Sequence, residues 1–311
     1  MKRRRIQRAA GGRRTPGRSV RCILLSLILA APAGAGHLAR EAPAEPIFTQ
    51  RAFIENDLEG AVDWGRGFGT QDLELGLGVT WIVLDRLQLG AEIPLGISIP
   101  DDGTTHADLS DINLSAKWLL CCKEPMGYTF VAARVDVSPP TGDRKHDIGG
   151  TGSFGFSLDL GHGFTVSESL QDLSIQFQAS YFQQMRLSPD QLDTARSLGL
   201  SKTLEKRVLW NLAFVQPLFG GRLQPSFELL GTSIVDAVQS ADEGSSFQLA
   251  AGFWVVPFGD GHPLSNLSIG LGGRVPVTNR REDQGGAALI FELAFESSQS
   301  RARETAKVPF P

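Results

Sequence analysis

Histidine, cysteine and carboxylate are the side chains with chemistry to offer here, and their spacing decides which chemistry. His106, His146, His162 and His262 fall in segments that read as loops or turns, and His37 stands in the N-terminal stretch. None is set on a regular element beside a serine nucleophile. No H-E-x-x-H, C-x-x-C, G-x-S-x-G or phosphate-binding glycine loop is present. A hydrolytic triad is defined by geometry rather than spacing, so a lipid hydrolase stands as a minor alternative. The catalytic set read from the residues is empty. Cys121 and Cys122 are adjacent and cannot close a loop, which excludes a disulfide scaffold; they read as two small apolar residues at a turn. Asp101-Asp102, and Asp143 with Asp147, could touch a divalent cation at an outer loop, but neither stretch has the ligand pattern of a calcium loop, so they read as solvated charged loops. No metal, haem, flavin or other cofactor is expected.

The remaining carboxylates follow a rule of their own. Asp72, Glu74, Gly76, Gly78 and Thr80 alternate with Leu73, Leu75, Leu77, Val79 and Trp81. A period of two places the first set on one face of a strand and the second on the other. The same pattern recurs over residues 87–95, 111–118, 131–137, 154–160, 172–181, 208–214, 223–230, 247–255, 267–275 and 287–295. With a first strand around residues 49–58, the alternation predicts twelve strands.

The connections are expected to alternate in length. Short ones fall at Asp85-Arg86, residues 121–126 and 161–164, Gly220-Gly221, and residues 259–263. Longer ones span residues 59–70, 97–108, 139–151, 184–204, 234–245 and 277–285. Alternating short turns and long loops, with strands long enough to cross hydrocarbon at a tilt, predict an all-β fold: a transmembrane antiparallel β-barrel with both chain ends periplasmic. A soluble sandwich also alternates, but nothing in it requires the lengths to alternate around a whole sheet.

Charge and the N-terminus agree with export. Nine of the 30 basic residues lie in residues 1–35, which contain no acid; residues 36–311 then hold 21 basic against 34 acidic residues. An acidic mature chain argues against nucleic acid as a partner. The basic stretch ends at Arg21, an apolar core runs from Ile23 to Ala30, and Ala33-Gly34-Ala35 supplies a small-residue cleavage site. The expected organisation is a signal peptide over residues 1–35, an N-terminal segment over 36–48, the barrel over 49–296 and a tail over 297–311.

Several stretches resemble an outer-membrane barrel family, that of the meta-pathway of phenol degradation. They are residues 84–95 (LDRLQLGAEIPL), 108–117 (DLSDINLSAK), 135–143 (VDVSPPTGD) and 267–276 (LSIGLGGRVP). The resemblance implies the outer membrane of a Gram-negative bacterium, delivery through the barrel assembly machinery, and passive transport of small hydrophobic or aromatic compounds. The chain departs from that family's aromatic terminal residue, since residues 296–311 follow the last strand.

In a barrel the apolar face meets lipid and the polar face lines the lumen. The lumen-lining set is then Asp72, Glu74, Glu92, Asp111, Lys117, Arg134, Asp136, Asp159, Asp172, Glu228, Arg274 and Glu292. Nine carboxylates against three cations favour cations through their summed field. Trp81, Trp118 and Tyr128, close to short turns, suit an aromatic girdle at one membrane interface. Trp254 has the opposite parity and points into the lumen. The expected function is a passive channel for small solutes, with outer-membrane lipid and the solute as partners. The alternative is a non-conducting barrel with a structural, adhesion or receptor role.

Overall fold

A computed structural model describes residues 47–49, 54–66, 70–100, 103–123, 129–142, 149–164, 173–187, 191–193, 197, 204–237, 244–259, 262–278 and 285–294. The expected signal peptide over residues 1–35, Asp172, Tyr128, His146 and residues 297–311 lie outside the described residues. The strands are β1 (Asp57–Arg66), β2 (Thr70–Leu84), β3 (Leu87–Pro100), β4 (His106–Leu109), β5 (Asn113–Lys123), β6 (Thr129–Ser138) and β7 (Ser153–Phe164). They continue as β8 (Leu173–Gln184), β9 (Lys206–Val215), β10 (Leu223–Asp236), β11 (Gly244–Val255), β12 (Leu267–Pro276) and β13 (Gly285–Ala294).

Each strand pairs antiparallel with its neighbour in sequence, except that β5 pairs with β3 rather than with β4, and β1 pairs along its whole length with β13, from Asp57 opposite Ala294 to Arg66 opposite Gly285. The sheet therefore closes. β4 and β5 share one position, since β4 pairs with the upper part of β3 and β5 with its lower part. The wall thus has twelve positions. Closure leaves no long unpaired edge, the condition for putting a sheet in hydrocarbon, where an unpaired backbone group costs several kcal/mol. Among the described residues no helix is long and apolar enough to cross a membrane; the crossing elements are strands of 10–15 residues.

Side chains obey the inversion that closure demands. Leu77, Trp81, Leu89, Ile93, Trp118, Phe156, Phe227 and Phe291 are exposed on the outer face, whereas Asp57, Gln88, Asp136, Gln176, Glu228 and Glu292 are buried on the inner one. An apolar exterior around a polar interior is stable only where the exterior meets lipid. The fold is a transmembrane β-barrel.

Three sequence expectations need correction. The first strand is Asp57–Arg66 rather than residues 49–58, so most of the expected long loop over 59–70 is strand. Gly60, Gly65, Gly67 and Gly69 give that stretch a loop-like composition, yet Leu58, Val62 and Trp64 continue the outward alternation. The ladder of bonds on both sides overrides the local preference. Similarly, residues 161–164, read as a turn, extend β7 to Phe164, and Cys121 is a free thiol inside β5 rather than at a turn.

Candidate functional site: the lumen and its plug

Residues 47–49 lie inside the barrel, and one carboxylate holds them there. Glu228 on β10 faces inward and is fully buried. Its Oε1 accepts the backbone N–H groups of Ile47 (2.6 Å) and Phe48 (3.1 Å), and its Oε2 accepts those of Phe48 (3.1 Å) and Thr49 (2.7 Å). Three consecutive N–H groups around one carboxylate form an anion-binding nest, with backbone dipoles replacing the water the charge has lost.

A second contact comes from the opposite sign of charge. Arg274 on β12 stacks its guanidinium over the Phe48 ring at 5.3 Å and donates Nη2 to Asp63 Oδ1 on β1 at 3.0 Å. Arg274 and Glu228 share one row of the sheet, bridged by Ala250, so the plug is gripped by two charges two strands apart. Ile47 packs with Trp254, Ala288 and Ile290, against which Phe48 and Ala61 also rest. Trp254 points inward, and Gly252, Gly270 and Gly272 supply the room that Ile47 occupies.

Beside the plug lies a cavity of about 130 Å³. Asp57, Glu59 and Glu292 line one side, Lys117 and Arg134 another, with Thr49, Thr80, Gln88, Ser115, Trp254 and Ile290 between. Carboxylate oxygens of Glu55, Asp57 and Glu292 lie within 4.8 Å of one another. Lys117 Nζ sits 3.9 Å from Asp159 Oδ2, and Arg134 is paired with Asp136 on its own strand.

The other residues marked by the sequence are distributed around these. Asp72 accepts the Ser98 hydroxyl at 2.9 Å. Glu74 is exposed and stands opposite Asp63, and Glu92 reaches over Gly76. Trp81 and Trp118 are exposed on the outer face, beside the Asp85-Arg86 turn end. Asp57, Glu59 and Asp63 also face inward, outside the set expected from the sequence; their alternation with Leu58, Gly60 and Val62 is the signal that marks them.

Asp111 does something different from what its spacing suggested. It lies in the break between β4 and β5 rather than on a strand. Its Oδ1 accepts the N–H groups of Gly142 (2.8 Å) and Gly150 (2.7 Å), and its Oδ2 accepts that of Gly152 (2.8 Å). Thr141 Oγ1 accepts the Ile112 N–H in return at 2.9 Å. Arg186 then donates to the carbonyls of Gly150 and Pro140. The DLSD and PPTG stretches, distant in sequence, are therefore two halves of one clamp. A Cβ on Gly142 would stand 2.8 Å from the Ser110 carbonyl carbon, so the clamp closes only around glycine.

No family model matches the chain, and no curated protein matches it. Solved structures do. An outer-membrane channel from Pseudomonas putida F1 matches with a TM-score of 0.56 at 12% identity, over 81% of this chain and 100% of that one. The NanC porin matches with 0.47 at 10% identity, over 78% and 100%. The β-domain of the Bordetella autotransporter BrkA matches with 0.44 at 14% identity, over 78% and 100%. The class that the fold defines is the transmembrane β-barrel, and the Pseudomonas putida outer-membrane channel shares that fold.

Proposed function

We propose that the protein is a non-enzymatic, passive outer-membrane channel for small solutes, whose lumen prefers cations and neutral molecules to anions. The observation that carries this reading is the inward charge. Asp63, Asp72, Glu74 and Glu92 gather on the β1–β3 wall, with Arg274 the cation bonded among them. A water-filled passage lined this way repels anions through its summed field. The end of the barrel that carries residues 103–112, 139–142 and 149–152 is read as external. The end where Asp57 and Ala294 meet is read as periplasmic, the side from which the assembly machinery receives the chain.

The test is reversal potential across a planar bilayer under a salt gradient, comparing the native protein with the triple variant Asp72→Asn, Glu74→Gln, Glu92→Gln. Native cation preference that falls in the variant, with the heat-dependent gel shift retained, supports the channel. Native anion preference refutes its electrostatic part. Absence of conductance and of uptake for any small ionic or aromatic probe favours the non-conducting, structural or receptor reading.

A second reading follows from the apolar floor. Trp254, Ile290, Ile47 and Phe48 give the lumen a greasy patch that a purely ionic pore has no use for. It fits the hydrophobic or aromatic solutes implied by the phenol-degradation resemblance. Uptake of a small aromatic probe into proteoliposomes, lost in Trp254→Ala, is its expected signature.

A further inference from the structure

Charged side chains that line the cavity beside the plug are already engaged. Lys117 Nζ faces Asp159, Arg134 is paired with Asp136, and Asp57 accepts the Thr80 hydroxyl at 2.8 Å. A charged solute would compete with these contacts. The groups with hydrogen bonds to spare are neutral. Asp57, Thr80, Gly90 and Ser115 stand in one row across β1, β2, β3 and β5. Gly90 has no side chain, and the Ser115 hydroxyl lies over it, where a Cβ would strike that oxygen. Ser115 is half-buried, lines the cavity, and makes no hydrogen bond among the described residues. Gln88, on the same face of β3 and 7% exposed, donates Nε2 to the Glu55 carbonyl at 2.8 Å, which leaves its Oε1 to accept. Thr80 uses its proton on Asp57 and keeps its lone pairs. Trp254, Ile290 and Phe48 supply the apolar part of the lining.

This combination decides the class of occupant. A hydroxyl both donates and accepts, so it can give a proton to Gln88 Oε1 or Thr80 and take one from Ser115. The C–H surface that carries the hydroxyls packs against the indole. A wholly apolar molecule would strip water from an amide and several hydroxyls and replace none of their bonds. The cavity, about 130 Å³, is close to the ~150 Å³ that holds benzene, which sets the occupant at about six heavy atoms.

We propose that this cavity binds a small neutral polyol, its hydroxyls on Ser115, Gln88 and Thr80 and its C–H face towards Trp254. The proposal rests on the reading of the lumen as a solute path and names the class of solute the path selects. Phe48 and Thr49 also line the cavity, so the solute touches the segment that narrows its route.

The experiment is a saturation-transfer NMR titration of the full barrel, in micelles of deuterated detergent, with glycerol, 1-propanol, propionate and propylammonium. Glycerol is expected to bind at least about tenfold more tightly than the alcohol or either ion. Ser115→Ala should weaken glycerol about fivefold and leave 1-propanol unchanged. Gly90→Ala, which pushes the Ser115 hydroxyl aside, should copy that effect with the serine still present, and both variants should keep the heat-dependent gel shift. If a variant does not fold, the native comparison of the four probes remains decisive. Equal affinity for 1-propanol overturns the polyol and gives the cavity to apolar solutes. Tighter binding of either ion, or no transfer to any probe, overturns it as well. A native protein that conducts ions but binds no glycerol overturns the site and spares the channel. One that binds glycerol but conducts nothing supports the site and overturns the channel.

Discussion

Glu228 is the residue whose charge can be removed with the least change of shape. In Glu228→Gln one of the two side-chain acceptors becomes a donor facing backbone donors. A hydrogen bond to a charged group contributes about 1.5–3 kcal/mol, so losing the charge should weaken docking of residues 47–49 by roughly 3 kcal/mol. That is on the order of a hundredfold in the docked-to-undocked ratio. The expected outcome is faster amide exchange at Ile47, Phe48 and Thr49 together with larger single-channel conductance. Unchanged exchange would show that the apolar contacts with Trp254 and Ile290 hold the plug alone. Parity in the sequence already placed Glu228 and Arg274 on the polar face. Their contacts with the plug were not legible, because Glu228 meets Phe48 across 180 positions and no local pattern encodes so distant an encounter. Asp159 is a similar case: its inward face was legible, its distance to Lys117 was not.

At the scale of elements, most strands were legible because each alternates without help from its neighbours. The exceptions are glycine-rich. β1 and the end of β7 look like turns in isolation, and only the partner ladders hold them extended. The clamp at Asp111 was half legible, as two motifs with no visible reason to be related. Asp111→Ala leaves three N–H groups without their acceptor, and should free residues 139–142 and 149–152 from the break between β4 and β5. Protease added to intact cells is expected to cut this loop at least about tenfold faster in the variant, since a docked loop is cleaved through its open population. Gly142→Val should do the same by sterics, because its Cβ would enter the backbone of Ser110 and Asp111. An equal cutting rate in both variants and the native protein would remove the clamp from the account. On the outer face, Trp210 lies across Gly231 and meets Phe247 at 5.3 Å between ring centres. A side chain at position 231 would lift the indole away from the wall.

For the whole molecule, closure was legible only as a count of strands; which strand meets which at the seam comes from the register of β1 with β13. Asp57 faces Ala294 there, at the ~5 Å separation of an antiparallel pair, so the seam is chemically the same as every other strand boundary. The order of the twelve wall positions around the ring is then independent of where the polypeptide starts. A circular permutant, opened within residues 67–69 and joined by a flexible linker from Ala294 to the segment ahead of Ile47, keeps all of these pairings. It should show the native heat-dependent gel shift and keep the plug. The two versions should differ in kinetics, because the last pairing to form in the native order joins residues more than 200 positions apart, and closing so long a loop is slow. In the permutant that pairing becomes a local hairpin, and the slow long-range step moves to β1 and β2. Refolding into vesicles, followed by the gel shift over time, will therefore reveal which boundary seals the ring last.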